Sequence, residues 1–127
     1  MAALTPDELR RVAAGKTQYA ASCAGCHQVT GTGMTGVAKS LVGSPWVLGA
    51  SGRLIRVVQH GKEGESLMPP VGATLSDEQL AAVLSYVRRS WGNEASAVAP
   101  VEVREVRGAT MGRRRPWTEA ELKGVAR

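Results

Sequence analysis

The run Cys23-Ala24-Gly25-Cys26-His27 decides how the rest of this 127-residue sequence is read. A C-x-x-C-H run is the attachment signature of a c-type haem: two cysteine sulfurs each form a thioether with a haem vinyl group, and the adjoining histidine binds the iron. The spacing has a physical reason. Two intervening residues let both sulfurs reach neighbouring edges of one porphyrin, and the histidine directly after the second sulfur is drawn under the metal.

Three plainer readings compete with it. A thioredoxin-like redox pair also uses C-x-x-C, but in a βαβ setting after an apolar strand, whereas Tyr19-Ala20-Ala21-Ser22 reads as helix. A structural zinc site needs four Cys or His ligands, and beyond the run the chain offers only His60. A chance match of five residues is the third, to be weighed against everything outside the run.

Working outward, the segment before the motif opens with Thr5-Pro6-Asp7-Glu8, a capping box with proline at the first helical position. Leu9, Val12, Ala13, Tyr19 and Ala20 follow at near-helical spacing, which predicts a helix from about residue 6 to about residue 22. Gly15 costs such a helix roughly 1 kcal/mol relative to alanine, a cost that makes sense where another backbone or ring crosses closely. Residues 28–51 are rich in Gly, Ser and Thr without a sustained period and read as a long loop, of the kind that wraps something. Arg53 to His60 forms a short amphipathic helix with Leu54, Val57 and Val58 on one face, ended by Gly61. Residues 61–74 are again loop and carry Leu67-Met68-Pro69-Pro70. Ser76-Asp77-Glu78-Gln79 is a second capping box, and Leu80, Val83, Leu84 and Val87 at i, i+3, i+4 and i+7 predict a helix from about 77 to about 90, stopped by Trp91 and Gly92. From Asn93 the character shifts to a linker, a short helix over 100–107, a basic stretch, and a third capping box between Thr118 and Glu121. No internal repeat and no strand pattern is visible.

Composition bounds the function. The chain is large enough for one domain with its own core, yet it has no Phe, only 4% aromatic residues and 15 glycines. An embedded porphyrin would supply the large flat apolar body that the side chains lack. Both cysteines lie inside the motif, so no disulfide framework competes for them. The formal net charge is +5, spread along the chain apart from Arg113-Arg114-Arg115, which are expected to be solvated or to dock an acidic partner. Basic residues are not interleaved with stacking aromatics, which argues against a nucleic-acid partner. No run approaches the roughly 18 consecutive apolar residues of a membrane span. The charged first twenty residues do not read as a signal peptide, so a mature form or an excised domain is expected.

A haem fixed by Cys23 and Cys26 with His27 on one side of the iron leaves the other side open. Met34, His60, Met68, Met111 or an open substrate-binding position could complete it. Met68 is the choice from the residues, because Pro69 and Pro70 stiffen its loop by fixing φ and a weak thioether ligand gains from that preorganisation. Met34 and Met111 read as fillers or exposed side chains, and His60 as a surface or hydrogen-bonded histidine.

The order of helix, C-x-x-C-H, Gly-rich loop, short helix, Met-Pro-Pro and capped helix resembles a class I cytochrome c over about residues 6–91. The resemblance implies an all-α fold packed around one covalent haem c, thioethers from Cys23 and Cys26, axial ligands from His27 and Met68, and a near-perpendicular crossing of the first and last core helices, with Gly15 admitting the ring of Tyr86. More narrowly, Leu41-Val42-Gly43-Ser44-Pro45-Trp46, the stretch Ser85-Tyr86-Val87-Arg88-Arg89-Ser90-Trp91-Gly92-Asn93 and Pro116-Trp117-Thr118 are similar to cytochrome domains attached to, or partnered with, bacterial quinoprotein dehydrogenases. Those relatives often read P-P-L-V-G-S where this chain has Lys39-Ser40-Leu41-Val42-Gly43-Ser44. In the family a backbone carbonyl near that proline orients the proximal histidine, and the sequence does not say which carbonyl serves here. Trp46, Arg53 and Arg56 are candidates to hold the haem propionates, since buried carboxylates need charged or N–H partners. Trp91 and Trp117 read as packing anchors.

The expected function is therefore one-electron transfer by a non-enzymatic, monomeric carrier module in the periplasm or another extracytoplasmic space. Its expected donor is a quinoprotein-type dehydrogenase and its acceptor another cytochrome or an oxidase. The alternative is a haem-based sensor or peroxidase-like module with an open sixth position. Residues 1–92 are expected to form the haem domain, and 93–127 a C-terminal extension with short helices packing on it or trailing from it.

Overall fold

A computed structural model describes residues 3–64 and 67–125. The described chain is helical, with α1 at Pro6–Ser22, α2 at Ala24–His27, α3 at Pro45–Leu48, α4 at Ser51–His60, α5 at Asp77–Arg88, α6 at Pro100–Ala109 and α7 at Glu119–Lys123. β-pairing among the described residues consists of isolated bridges.

The caps form as the sequence predicts. Thr5 Oγ1 accepts from the Glu8 N–H at 3.2 Å while the Glu8 carboxylate accepts from the Thr5 N–H at 2.9 Å. Ser76 and Gln79 repeat the exchange at the start of α5, and Thr118 and Glu121 at the start of α7. Each box satisfies two otherwise orphaned backbone donors. The predicted 53–60 helix begins two residues earlier, at Ser51, and α5 stops at Arg88, where Trp91 (φ 56°) and Gly92 (φ 90°) turn the chain away. Two helices depart from the expected long loop and motif turn. α2 runs through the C-x-x-C-H motif itself, and α3 is a single turn capped by Ser44 with Pro45 in first position. Four residues are too few for a period, so only the cap could have announced α3.

α1 crosses α5, the most extensive helix pairing in the fold. At the crossing, a side-chain carbon on Gly15 would lie 1.9 Å from the Ala82 carbonyl oxygen and 2.8 Å from Tyr86 Cβ. Glycine is what lets the two backbones touch. The seam is narrower than the spacing of apolar residues in α1 suggests: Gly15 and Tyr19 are the residues the helix buries, and Leu9 is 56% exposed. A backbone-to-backbone contact uses little side-chain area.

The buried cluster takes Tyr19 from α1, Val47 from α3, Leu54, Ile55 and Val58 from α4, and most of α5. It continues into the C-terminal residues through Val98, Val103 and Val106, each worth roughly 1.5–3 kcal/mol on burial. α6 packs on both α5 and α4. Ser85 Oγ and the backbone of Val98 exchange hydrogen bonds at 2.9 and 3.1 Å in the interior. Arg88, 4% exposed, donates to the carbonyls of Val47, Gly49 and Ser96, each at 2.8 Å. Its guanidinium thereby fixes α3 and the linker against α5.

Candidate functional site

Cys23 closes α1, its N–H donating to the Tyr19 carbonyl at 2.9 Å. Both Cys23 and Cys26 are free thiols, Cys26 exposed and Cys23 partly buried against the core cluster. Burial, and then the neighbouring Cys26, push the Cys23 thiol up to about 11. The next turn, α2, presents His27. Its Nδ1 lies 2.9 Å from the Lys39 carbonyl oxygen. A carbonyl only accepts, so Nδ1 carries the hydrogen and Nε2 is left as a lone-pair donor. Burial lowers the His27 pKa, partly opposed by the Lys39 carbonyl, so the ring favours the neutral form that metals bind.

The loop after the motif exists to bring that carbonyl in. It folds back at a bridge between Met34 and Ala38, and the Gly33 N–H donates to the His27 carbonyl at 2.9 Å. Gly33 has φ +74°, and a side-chain carbon there would meet the Lys39 carbonyl oxygen at 2.7 Å. The start of the loop is held by aromatic residues. Tyr19 Oη donates to the Gln28 carbonyl at 2.5 Å, Trp91 Nε1 donates to the Val29 carbonyl at 3.0 Å, and the Trp91 ring lies on the bare backbone of Gly31. Tyr19, Tyr86 and Trp91 contact one another with ring centroids 5.3–5.7 Å apart.

Met68 is half-buried and packs against the same core cluster as Cys23, Ala24, Leu41 and Val71. Its N–H and carbonyl exchange hydrogen bonds with Lys62 at 3.0 and 3.1 Å, an antiparallel bridge. Met34 and Met111 are exposed. His60 accepts a hydrogen bond at Nδ1 from Trp117 Nε1 at 3.2 Å.

The remaining candidates are dispersed. Trp46 is half-buried with the Lys62 ammonium 5.1 Å from its ring centroid, and among the described residues nothing accepts from its indole N–H. Arg53 donates to the Val125 and Lys123 carbonyls at 2.8 and 3.2 Å, so its guanidinium is turned to the C-terminal residues. Arg56 donates to the Gly52 carbonyl and sits 5.7 Å from the Trp117 ring centroid. The basic triplet is not simply solvated: Arg113 pairs with Glu121 at 2.9 Å, donates to the Pro116 carbonyl and stacks 3.5 Å from the Trp117 centroid. Sequence reasoning missed Lys39 and Lys62, whose contributions at this site are largely backbone atoms.

Two cysteines one helical turn apart, an imidazole whose Nδ1 is engaged so that Nε2 is left as a donor, and a thioether side chain that packs, like Cys23, against the core cluster make a donor set that fits a covalently held haem. No group of three or more His, Cys, Asp or Glu among the described residues could hold a bare metal ion. Residues 10–87 match the family described as cytochrome c oxidase, cbb3-type, subunit III. The chain belongs to the class I c-type cytochromes. This cytochrome is 33% identical over 96 residues to the gluconate 2-dehydrogenase cytochrome c subunit of Pantoea cypripedii, covering 65% of this chain and 21% of that subunit. It is 31% identical over 103 residues to the quinone alcohol dehydrogenase cytochrome c subunit of Gluconacetobacter polyoxogenes, covering 73% and 22%. It is 30% identical over 115 residues to cytochrome c-552 of Thermus thermophilus, covering 81% and 77%. The cytochrome spans about a fifth of the length of the dehydrogenase subunits it matches. Its cofactor is covalent haem c, and the family and relatives it matches are electron-transfer cytochromes and cytochrome subunits. No helix among the described residues is long and apolar enough to cross a membrane.

Proposed function

We propose that the cytochrome transfers single electrons by an outer-sphere route, with Cys23 and Cys26 as the thioether residues and His27 and Met68 as the axial ligands. The observation that carries this reading is the His27–Lys39 hydrogen bond, which fixes the imidazole tautomer and leaves Nε2 to bind iron. When bound, the haem would supply a one-electron couple, and ligation by His27 and Met68 would raise its potential. The chain's own work is to hold the ring of His27, to keep the Met68 thioether against the core, and to exclude water with the apolar flank of Leu41, Val71 and Leu75. Residues 1–92 form the haem domain in this reading, and 93–127 an extension packed on it.

The propionate candidates carry unequal weight. Trp46 has a donor to offer, whereas Arg53 would have to give up its bonds to Val125 and Lys123. The donor we propose is a quinoprotein-type dehydrogenase, in line with the dehydrogenase subunits among its relatives. The acceptor is another cytochrome or an oxidase, and the location is periplasmic or otherwise extracytoplasmic.

The test is the far-red charge-transfer band that a thioether sulfur gives to ferric haem. It is expected in the wild type and absent in Met68→Ala, and the native ferrous protein should resist carbon monoxide. A wild type that lacks the band and binds carbon monoxide readily would instead be the sensor or peroxidase-like module.

A further inference from the structure

The loop that presents Met68 is paired to the C-terminal segment through a single residue. Lys62 bridges antiparallel to Met68 and parallel to Trp117. The Trp117 N–H donates to the Gly61 carbonyl at 3.0 Å, and the Glu63 N–H donates to the Trp117 carbonyl at 2.9 Å. Gly61, at φ +87°, admits the Met68 carbonyl to within 2.4 Å of where a side-chain carbon would stand. Three short segments, 61–63, 68 and 117, therefore form one small ladder.

Side chains lock its third rung. Trp117 Nε1 donates to His60, Arg113 lies 3.5 Å from the indole centroid, and Glu121 holds Arg113 at 2.9 Å. Lys62 closes the group from the other end, its ammonium pairing with Glu119 at 3.2 Å. Among the described residues, Leu67, Pro69 and Pro70 beside Met68 are exposed, and on that side the chain is held further along, where the Gly72 N–H donates to the Val58 carbonyl at 2.8 Å. A thioether bond to iron is weak, so its occupancy depends on how well the backbone behind it is held.

We propose that Trp117 is a positioning residue for Met68, and that residues 113–121 are a clamp that keeps the sixth ligand seated. The proposal rests on Met68 being that ligand. Space filling alone would not put Trp117 in hydrogen-bonded register with the one residue that also pairs with Met68.

The experiment uses the haem-loaded chain and imidazole as a competitor for the sixth position. Trp117→Ala should weaken the far-red ferric band and raise imidazole affinity on the order of tenfold, the scale of one or two hydrogen bonds. Trp117→Phe, which keeps a ring under Arg113 but loses the bond to His60, should fall between. If Met68→Ala abolishes the band while Trp117→Ala leaves band and imidazole affinity unchanged, the clamp is overturned and the ligand assignment stands. If Met68→Ala leaves the band intact, the ligand assignment fails first. Should Trp117→Ala not fold, reciprocity supplies the test in the wild type: displacing Met68 with imidazole must speed hydrogen exchange at the Glu63 and Trp117 amides, and unchanged rates overturn the clamp.

Discussion

The Lys39 carbonyl that accepts from His27 Nδ1 at 2.9 Å stands 2.7 Å from where a side-chain carbon on Gly33 would be. The orientation of the histidine thus depends on a glycine six residues further on. Gly33→Ala is expected to cost more than backbone strain. The left-handed conformation alone costs an L-residue roughly 1–2 kcal/mol, and displacing the Lys39 carbonyl adds to it. Gly36→Ala isolates the strain, because Gly36 also has positive φ but a side-chain carbon there meets nothing within 4 Å. Denaturant unfolding of the two variants should show Gly33→Ala the less stable, and only Gly33→Ala should speed exchange of the His27 Nδ1 hydrogen.

Gly15→Ala inverts the usual helix preference. Alanine ordinarily gains about 1 kcal/mol over glycine inside a helix, and Gly108→Ala in α6, where the added carbon meets nothing, should show that gain. At Gly15 the new carbon would collide with the Ala82 backbone, so α1 and α5 must separate. A loss of at least ~1–3 kcal/mol in urea unfolding is expected. Equal and favourable effects of the two substitutions would mean that the helices do not cross here.

Acid should loosen the clamp in two stages. Burial, then Arg113 and Arg56, lower the His60 pKa from 6.5. Protonation would place a hydrogen on the very Nδ1 that accepts from Trp117. The folded state therefore binds this proton less readily than the unfolded chain. The stability it contributes is complete above pH 6.5 and is lost as pH falls through the lowered value. Glu121, held at about 2 by the Arg113 hydrogen bond and the Thr118 N–H, acts the same way in a lower window: its contribution is present above 4.5 and fades toward 2. Melting temperature measured against pH should fall in both windows. His60→Gln should flatten the first and Glu121→Gln the second.

What the sequence displayed and what it concealed follow from where the information lies. The capping boxes at Thr5, Ser76 and Thr118 are pairs of side chains three residues apart, so they can be read from the chain and they fix the starts of α1, α5 and α7. The crossing at Gly15 is visible because a glycine within a helical period is a cost in need of a reason. Lys39 and Lys62 gave no such signal, because what they bring to the site is a carbonyl, an N–H and a register, which every residue type possesses. Trp117 reads as a packing anchor from its side chain, but its pairing with residues 61–63 spans over fifty positions of sequence. From the sequence Arg53 reads as a propionate partner and Arg113 as a solvated or docking charge, and neither reading can see the carbonyls and carboxylate they reach. Leu9 errs in the opposite direction, an apolar residue at the right spacing that is left 56% exposed.

The contact between α1 and α5 joins positions more than half the sequence apart, and this has a consequence for biosynthesis. Closing so long a loop is slow and needs both ends present. While a ribosome delivers the chain N-terminus first, α1 and the cysteines behind it emerge long before the helix that will cross α1. Cys23, half shielded once the core assembles, is fully open during that interval. The order of synthesis thus gives a modifying enzyme its widest access to Cys23 before the core has assembled, whereas Cys26 stays exposed in the folded chain.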